Sequence, residues 1–94
     1  MEDHRLRTFF TVVKNKSFSK AARELYMTQP AVSFHIKQLE KHFNTTLFIR
    51  GHHKIKLTRD GALLLKHTIN ILDAYEALDR DFNNGSRNSI RIKM

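Results

Sequence analysis

A mainly α fold, with three short helices, a two-stranded β-hairpin and one long final helix, is predicted by three features of this 94-residue sequence. Apolar residues recur at helical spacing in four separate stretches, lining one face of each. Two short segments after Phe43, residues 47–50 and 54–57, are instead rich in β-formers, and the second alternates cation with aliphatic, as a strand with one wet face does. The third feature is punctuation. Ser17, Thr28 and Thr58 each precede an apolar-periodic run, where a hydroxyl accepts a hydrogen bond from a first-turn N–H.

Composition narrows the class. One small domain is expected, with a modest core from a 40% hydrophobic fraction and 7 Phe residues. No uninterrupted run of apolar residues is long enough to span a membrane. The opening residues, MEDHRLRTFF, lack the basic start and apolar stretch of a secretory signal, and 0 Cys excludes disulfides and thiolate metal sites. A cytoplasmic setting is the expectation. The net charge is +8, from 17 Lys and Arg against 9 Asp and Glu, which favours a polyanionic partner. A membrane-surface helix would join a broad apolar face to a basic one, and no segment does so.

In chain order, Leu6, Phe9, Phe10 and Val13 predict a first helix ending near Asn15, with Glu2 and Asp3 suiting its N-terminus. Ser17 caps a second helix whose stripe, Phe18, Ala21, Ala22 and Leu25, is small enough to let another helix approach closely. Only Tyr26 and Met27 separate it from Thr28. The second and third helices therefore cross steeply, as in a helix-turn-helix spanning about residues 18–37. In the third helix Val32, Ile36, Leu39 and Phe43 face a core, while Pro30, Ser33, Phe34, Lys37 and Lys41 gather outward on a face with no carboxylate. Such a face suits the major groove of DNA, where hydroxyls, amides and lysines reach base edges and phosphates. Its plain alternative is a solvated helix surface.

The hairpin over residues 47–57, with Gly51, His52 and His53 at its tip, stands where a winged helix has its wing. Adjacent histidines without a nearby carboxylate or Cys make a poor metal site, and His35 and His42, seven positions apart on a helix, lie about 10 Å from each other. No metal and no cofactor are expected. From Arg59 to about Phe82 nothing interrupts a helix of roughly 35 Å. Its stripe of Ala62, Leu65, Ile69, Leu72 and Tyr75 exceeds what a small domain can cover, and is expected to be buried against a second copy of the chain. The stretch 83–86 has a hinge composition, and 89–93 alternates like the first strand of a further domain.

Taken together, Ser17-Phe18-Ser19-Lys20-Ala21-Ala22, Thr28-Gln29-Pro30-Ala31-Val32-Ser33, Ile36-Lys37-Gln38-Leu39-Glu40, Leu47-Phe48 and Leu57-Thr58-Arg59-Asp60-Gly61 resemble the N-terminal DNA-binding domain of LysR-type transcriptional regulators. The match runs from about Leu6 into the long helix. The resemblance implies a winged helix-turn-helix over residues 1–58, a dimerisation linker helix over 59–84, and over 85–94 a hinge leading to an effector-binding domain that this fragment lacks. It implies a homodimer on an inverted-repeat operator in double-stranded DNA. A small-molecule effector and any higher oligomer belong to the full-length protein. Carried over by position, the contacts to DNA come from Thr28, Gln29, Pro30, Ser33, Phe34, Lys37 and Lys41, from Ser17 and Ser19, and from Arg50, His52, His53 and Lys54 of the wing. Two positions depart from the family: Phe34, often polar or basic there, is placed to touch a thymine methyl, and His52-His53-Lys54 replaces an Arg-rich tip. His35 is expected to pack and not to read bases.

The competing class is a protein-interaction or dimerisation module whose basic face only solubilises. An enzyme is not expected, because no clustered carboxylates, Cys or Gly-rich phosphate loop form a catalytic constellation. RNA binding fits poorly, since the aromatic residues sit at core spacing and form no stacking platform.

Overall fold

The computed structural model describes residues 4–52 and 54–83. Its elements are α1 (His4–Asn15), α2 (Phe18–Glu24), α3 (Gln29–Phe43), β1 (Phe48–Arg50), β2 (Ile55–Leu57) and α4 (Arg59–Asn83). Glu2, Asp3, His53 and the stretch 89–93, on which expectations were placed, lie outside the described residues, as does all of the hinge except Asn83.

Helices α2, α3 and α4 start where their caps predict. Ser17 Oγ accepts from the Lys20 amide at 3.1 Å, Thr28 Oγ1 from Ala31 at 3.2 Å, and Thr58 Oγ1 from Gly61 at 2.9 Å. The turn from α2 into α3 is made by Tyr26 in the left-handed region, with φ 55°, and by the Met27 amide bonding back to the Ala22 carbonyl at 2.9 Å. At the far end of α3 Asn44 adopts φ 52°, and its amide returns to the Glu40 and Lys41 carbonyls, a helix stop that Asn tolerates better than most residues.

Helices α1, α2 and α3 pack on one another in pairs around Phe9, Val12, Ala21 and Val32, all fully buried. Ala21 and Ala22 let α2 sit close to its neighbours. Phe48 closes the core from the hairpin side, 5.5 Å between ring centroids from Phe9 and 5.6 Å from Phe18. Lys14 and Asn15 at the end of α1 hold the Glu24 carboxylate at 2.6 and 3.1 Å, tying α1 to α2. The Lys14 bond, then the Asn15 bond, draws the Glu24 pKa below its ordinary value. This contribution is therefore complete above the unfolded carboxylate range and disappears as pH falls through the lowered folded value.

The wing is antiparallel, with Phe48 opposite Leu57, Ile49 opposite Lys56 and Arg50 opposite Ile55, and the Gly51 amide bonds to the Lys54 carbonyl at 2.9 Å across the tip. It is anchored to α3 by the Leu47 amide, which donates to Glu40 Oε2 at 2.8 Å. Replacing Glu40 with Ala leaves that part-buried N–H without its charged acceptor, so a loss of about 1.5–3 kcal/mol is expected in urea unfolding. Unchanged stability would show that the anchor contributes nothing.

Two expectations are corrected. Phe43 does not enter the core: it is the last residue of α3, just before the chain turns off at Asn44, and is 49% exposed and edge-on to His42. Nor is the α4 stripe uncovered throughout. Within the chain α4 buries Gly61, against the hairpin, and also Thr68 and Leu72, along a helix that runs against α1, while Leu65 packs on the core beside Leu64. Ala62 and Ile69 remain exposed and Tyr75 is half-buried. The large apolar residues that α4 leaves to solvent are Leu63, Ile69, Ile71, Leu78 and Phe82.

Candidate nucleic-acid interface

The buried trio Val32, Ile36 and Leu39 fixes the rotation of α3 and so determines what its other side presents. Thr28, Gln29, Pro30, Phe34, Lys37 and Lys41 are exposed on that side, and Ser33 is half-buried at its edge. Phe34 is 59% exposed, an aromatic ring held in water beside lysines. The start of the helix, with Gln29 and Pro30 behind the Thr28 cap, projects free of the core.

Strand β1 brings Arg50 to this face. Its guanidinium carbon lies 4.2 Å from the centroid of the Phe18 ring, a cation–π contact that holds the charge at the foot of α2. Arg50, Lys37, Ser33 and Thr46 then share a cleft of about 310 Å³ walled by Phe18 and Phe48. Glu40 also reaches this cleft, but its carboxylate is engaged by the Leu47 amide. Thus α3 and the base of the wing form one continuous cationic surface. His52 and Lys54 are exposed at the tip, further out, and His53 lies outside the described residues.

Ser17 and Ser19 sit at the start of α2, their hydroxyl oxygens 3.2 Å apart, with the Ser17 oxygen already accepting the capping bond. Either hydroxyl can donate in the bond between them. His35 packs, as expected: it is half-buried and Nδ1 lies 2.9 Å from the Thr8 hydroxyl of α1. The same hydroxyl is 4.0 Å from Met27 Sδ in the turn, so one buried side chain braces both the turn and the recognition-type helix. The sequence gives no local sign of Thr8, whose partners lie 19 and 27 positions away. Lys16, Lys20 and Lys56 were missed for the same reason. They converge with Lys54 only once β2 is folded beside the α1–α2 turn.

Among the described residues no three His, Asp or Glu side chains converge to hold a metal ion, and no helix is long and apolar enough to cross a membrane.

Two capped helices joined by a tight turn, the second presenting a carboxylate-free polar face, with an antiparallel hairpin carrying an arginine to its flank, define a winged helix-turn-helix. Residues 4–62 match the family model described as "Bacterial regulatory helix-turn-helix protein, lysR family", and the chain belongs to that family. It is 44% identical over 71 residues to the HTH-type transcriptional regulator CitR of Bacillus subtilis (strain 168), covering 76% of this chain and 24% of CitR. Similarity to the HTH-type transcriptional regulator HdfR of Salmonella newport (strain SL254) is 36% identity over 89 residues, covering 95% of this chain and 32% of HdfR. The chain thus spans about a quarter to a third of the length of these relatives. Among solved structures, a transcriptional regulator of the LysR family from Eggerthella lenta DSM 2243 aligns with TM-score 0.67 and 45% identity, covering 71% of this chain and 96% of that one. The BenM_DBD/catB site 1 DNA complex aligns with TM-score 0.77 and 35% identity, covering 83% and 84%.

Proposed function

We propose that this chain is the duplex-DNA-binding part of a cytoplasmic bacterial transcription regulator, reading its operator as a homodimer. The observation that carries the proposal is the single surface formed by the exposed face of α3, with Gln29, Pro30, Phe34 and Lys37, and Arg50 of the wing. The width of a major groove admits one helix, and Gln, Lys and hydroxyl side chains at its start reach base edges and phosphates. Gln29 is assigned a base edge, Phe34 a thymine methyl, and Lys37 a base or phosphate. Arg50, His52, His53 and Lys54 are assigned the adjacent minor groove or backbone. Solved DNA complexes of BenM_DBD, which share this fold at 35% identity, support duplex DNA as the partner.

Residues 1–58 form the reading head, 59–84 the linker helix and 85–94 the start of a hinge toward an effector-binding domain in the full-length protein, where a small molecule would act. Dimerisation is assigned to α4, whose exposed Leu63, Ile69, Ile71, Leu78 and Phe82 are unusually apolar for a solvated helix. Two-fold symmetry then makes the operator an inverted repeat.

The test is the salt dependence of binding to duplex DNA. Several neutralised phosphates give a log–log slope of about −0.9 per contact, so a steep fall in affinity with salt is expected. Lys37→Ala should make that slope about one unit shallower if Lys37 holds a phosphate, and weaken all sequences alike. Flat salt dependence with no duplex affinity would instead favour an interaction module, in which α4 is functional and the basic surface is not.

A further inference from the structure

We propose that a second, larger cleft, about 780 Å³ between the α1–α2 turn and β2, holds the phosphodiester backbone of duplex DNA flanking the bases that α3 reads. The proposal rests on the DNA-binding function above and extends its footprint beyond the groove. Lys16 and Lys20 stand on one side of the cleft, and Lys54 and Lys56 on the other. Among the described residues no carboxylate lines it, and none of these four lysines has an ion-pair partner, unlike Lys14, two positions before Lys16, which is held by Glu24. Unpaired like charges converging from two elements repel one another, and a polyanion lying between them removes that repulsion.

The position of the cleft selects the polyanion. Phe48 lines both this cleft and the smaller one that holds Lys37 and Arg50, so the two cationic clefts adjoin at the wing base. Ser17, beside Lys16, opens onto it as well. A strand leaving the α3 face past Arg50 meets Ser17 and the four lysines next. The floor is apolar, with Val13, Ile55 and Leu57 beside Phe48, which matches the carbon faces of deoxyribose between charged phosphates. An acidic protein segment would also match lysines over an apolar floor, but nothing ties such a segment to the path leading from Arg50.

The experiment measures the dissociation constant of the 94-residue chain against KCl on its preferred site, in one duplex with long flanks and one with the flanks trimmed. The comparison variant carries Lys16→Gln, Lys20→Gln and Lys56→Gln, all at exposed positions. Trimming the flanks should make the parent's log–log slope shallower by about 2 to 3, near 0.9 per lost phosphate contact. The Gln variant should show the shallow slope on both duplexes, bind the long one about tenfold more weakly, and keep the parent's base preference and helical circular dichroism. Replacing the same three lysines by Arg should restore the steep slope, which a merely structural defect would not allow. A Gln variant with the parent's slope and flank response overturns the cleft assignment while leaving the groove assignment intact. A parent that prefers no duplex sequence overturns the DNA-binding function and this inference with it.

Discussion

Gly61→Ala is expected to destabilise the chain by about 3 kcal/mol, although alanine ordinarily favours a helix over glycine by roughly 0.5–1 kcal/mol. Gly61 lies in the first turn of α4, buried against the hairpin. A Cβ there would collide with the Leu47 carbonyl oxygen and come within 2.8 Å of Leu57 Cδ2. The backbone on the other side of the collision cannot easily withdraw: the Leu47 carbonyl accepts from Thr58 at 3.0 Å, and the Leu47 amide is bonded to Glu40. Relief requires α4 to shift on the wing, breaking the Thr58 cap or the Leu47 contacts. At about 4–8 °C per kcal/mol for a domain of this size, the thermal unfolding midpoint followed by circular dichroism should drop by on the order of 12–24 °C. An unchanged or raised midpoint would mean that α4 is not docked this closely.

Ile71→Glu combined with Leu78→Glu is expected to convert the proposed dimer into a folded monomer. These side chains are seven positions apart on one flank of α4 and remain substantially exposed, at 39% and 40%. Burying each against a partner is worth roughly 1.5–3 kcal/mol, and two-fold symmetry counts each twice. Carboxylates at both positions remove that gain and add like-charge repulsion across the axis. Sedimentation should show a monomer with parent-like helical signal, and affinity for an inverted repeat should fall to that for one half-site. A variant that stays dimeric places the interface elsewhere, for example on the Ile69 flank. Leu72→Glu would be a poor probe, since Leu72 is buried within the chain and its loss would unfold α4 from α1.

Local signals carried most of the fold. The caps at Ser17, Thr28 and Thr58, the spacing of Val32, Ile36 and Leu39, and the alternation at Lys54–Leu57 act within one or two turns, and the structure follows them. What was not legible depends on where distant elements meet. Leu72 is buried on a helix that packs against α1, and Phe43 is left exposed at the end of α3. Neither is set by residues near them in sequence. At the candidate site, the outward set on α3 could be read from helical period alone. The seating of Arg50 on Phe18, the Thr8–His35 contact and the convergence of four lysines could not, because each joins segments that touch only in three dimensions.

The most direct test of the central claim, that α3 reads bases through its exposed first turns, is selection of bound sites from random duplex DNA by the parent chain and by Gln29→Ala. The parent should enrich a defined motif arranged as an inverted repeat. In the motif of the variant one position per half-site should relax, at a cost of roughly 1–3 kcal/mol, with the remaining positions unchanged. Enrichment of no motif by the parent, or an identical motif and affinity from both proteins, would contradict the placement of this helix in the groove.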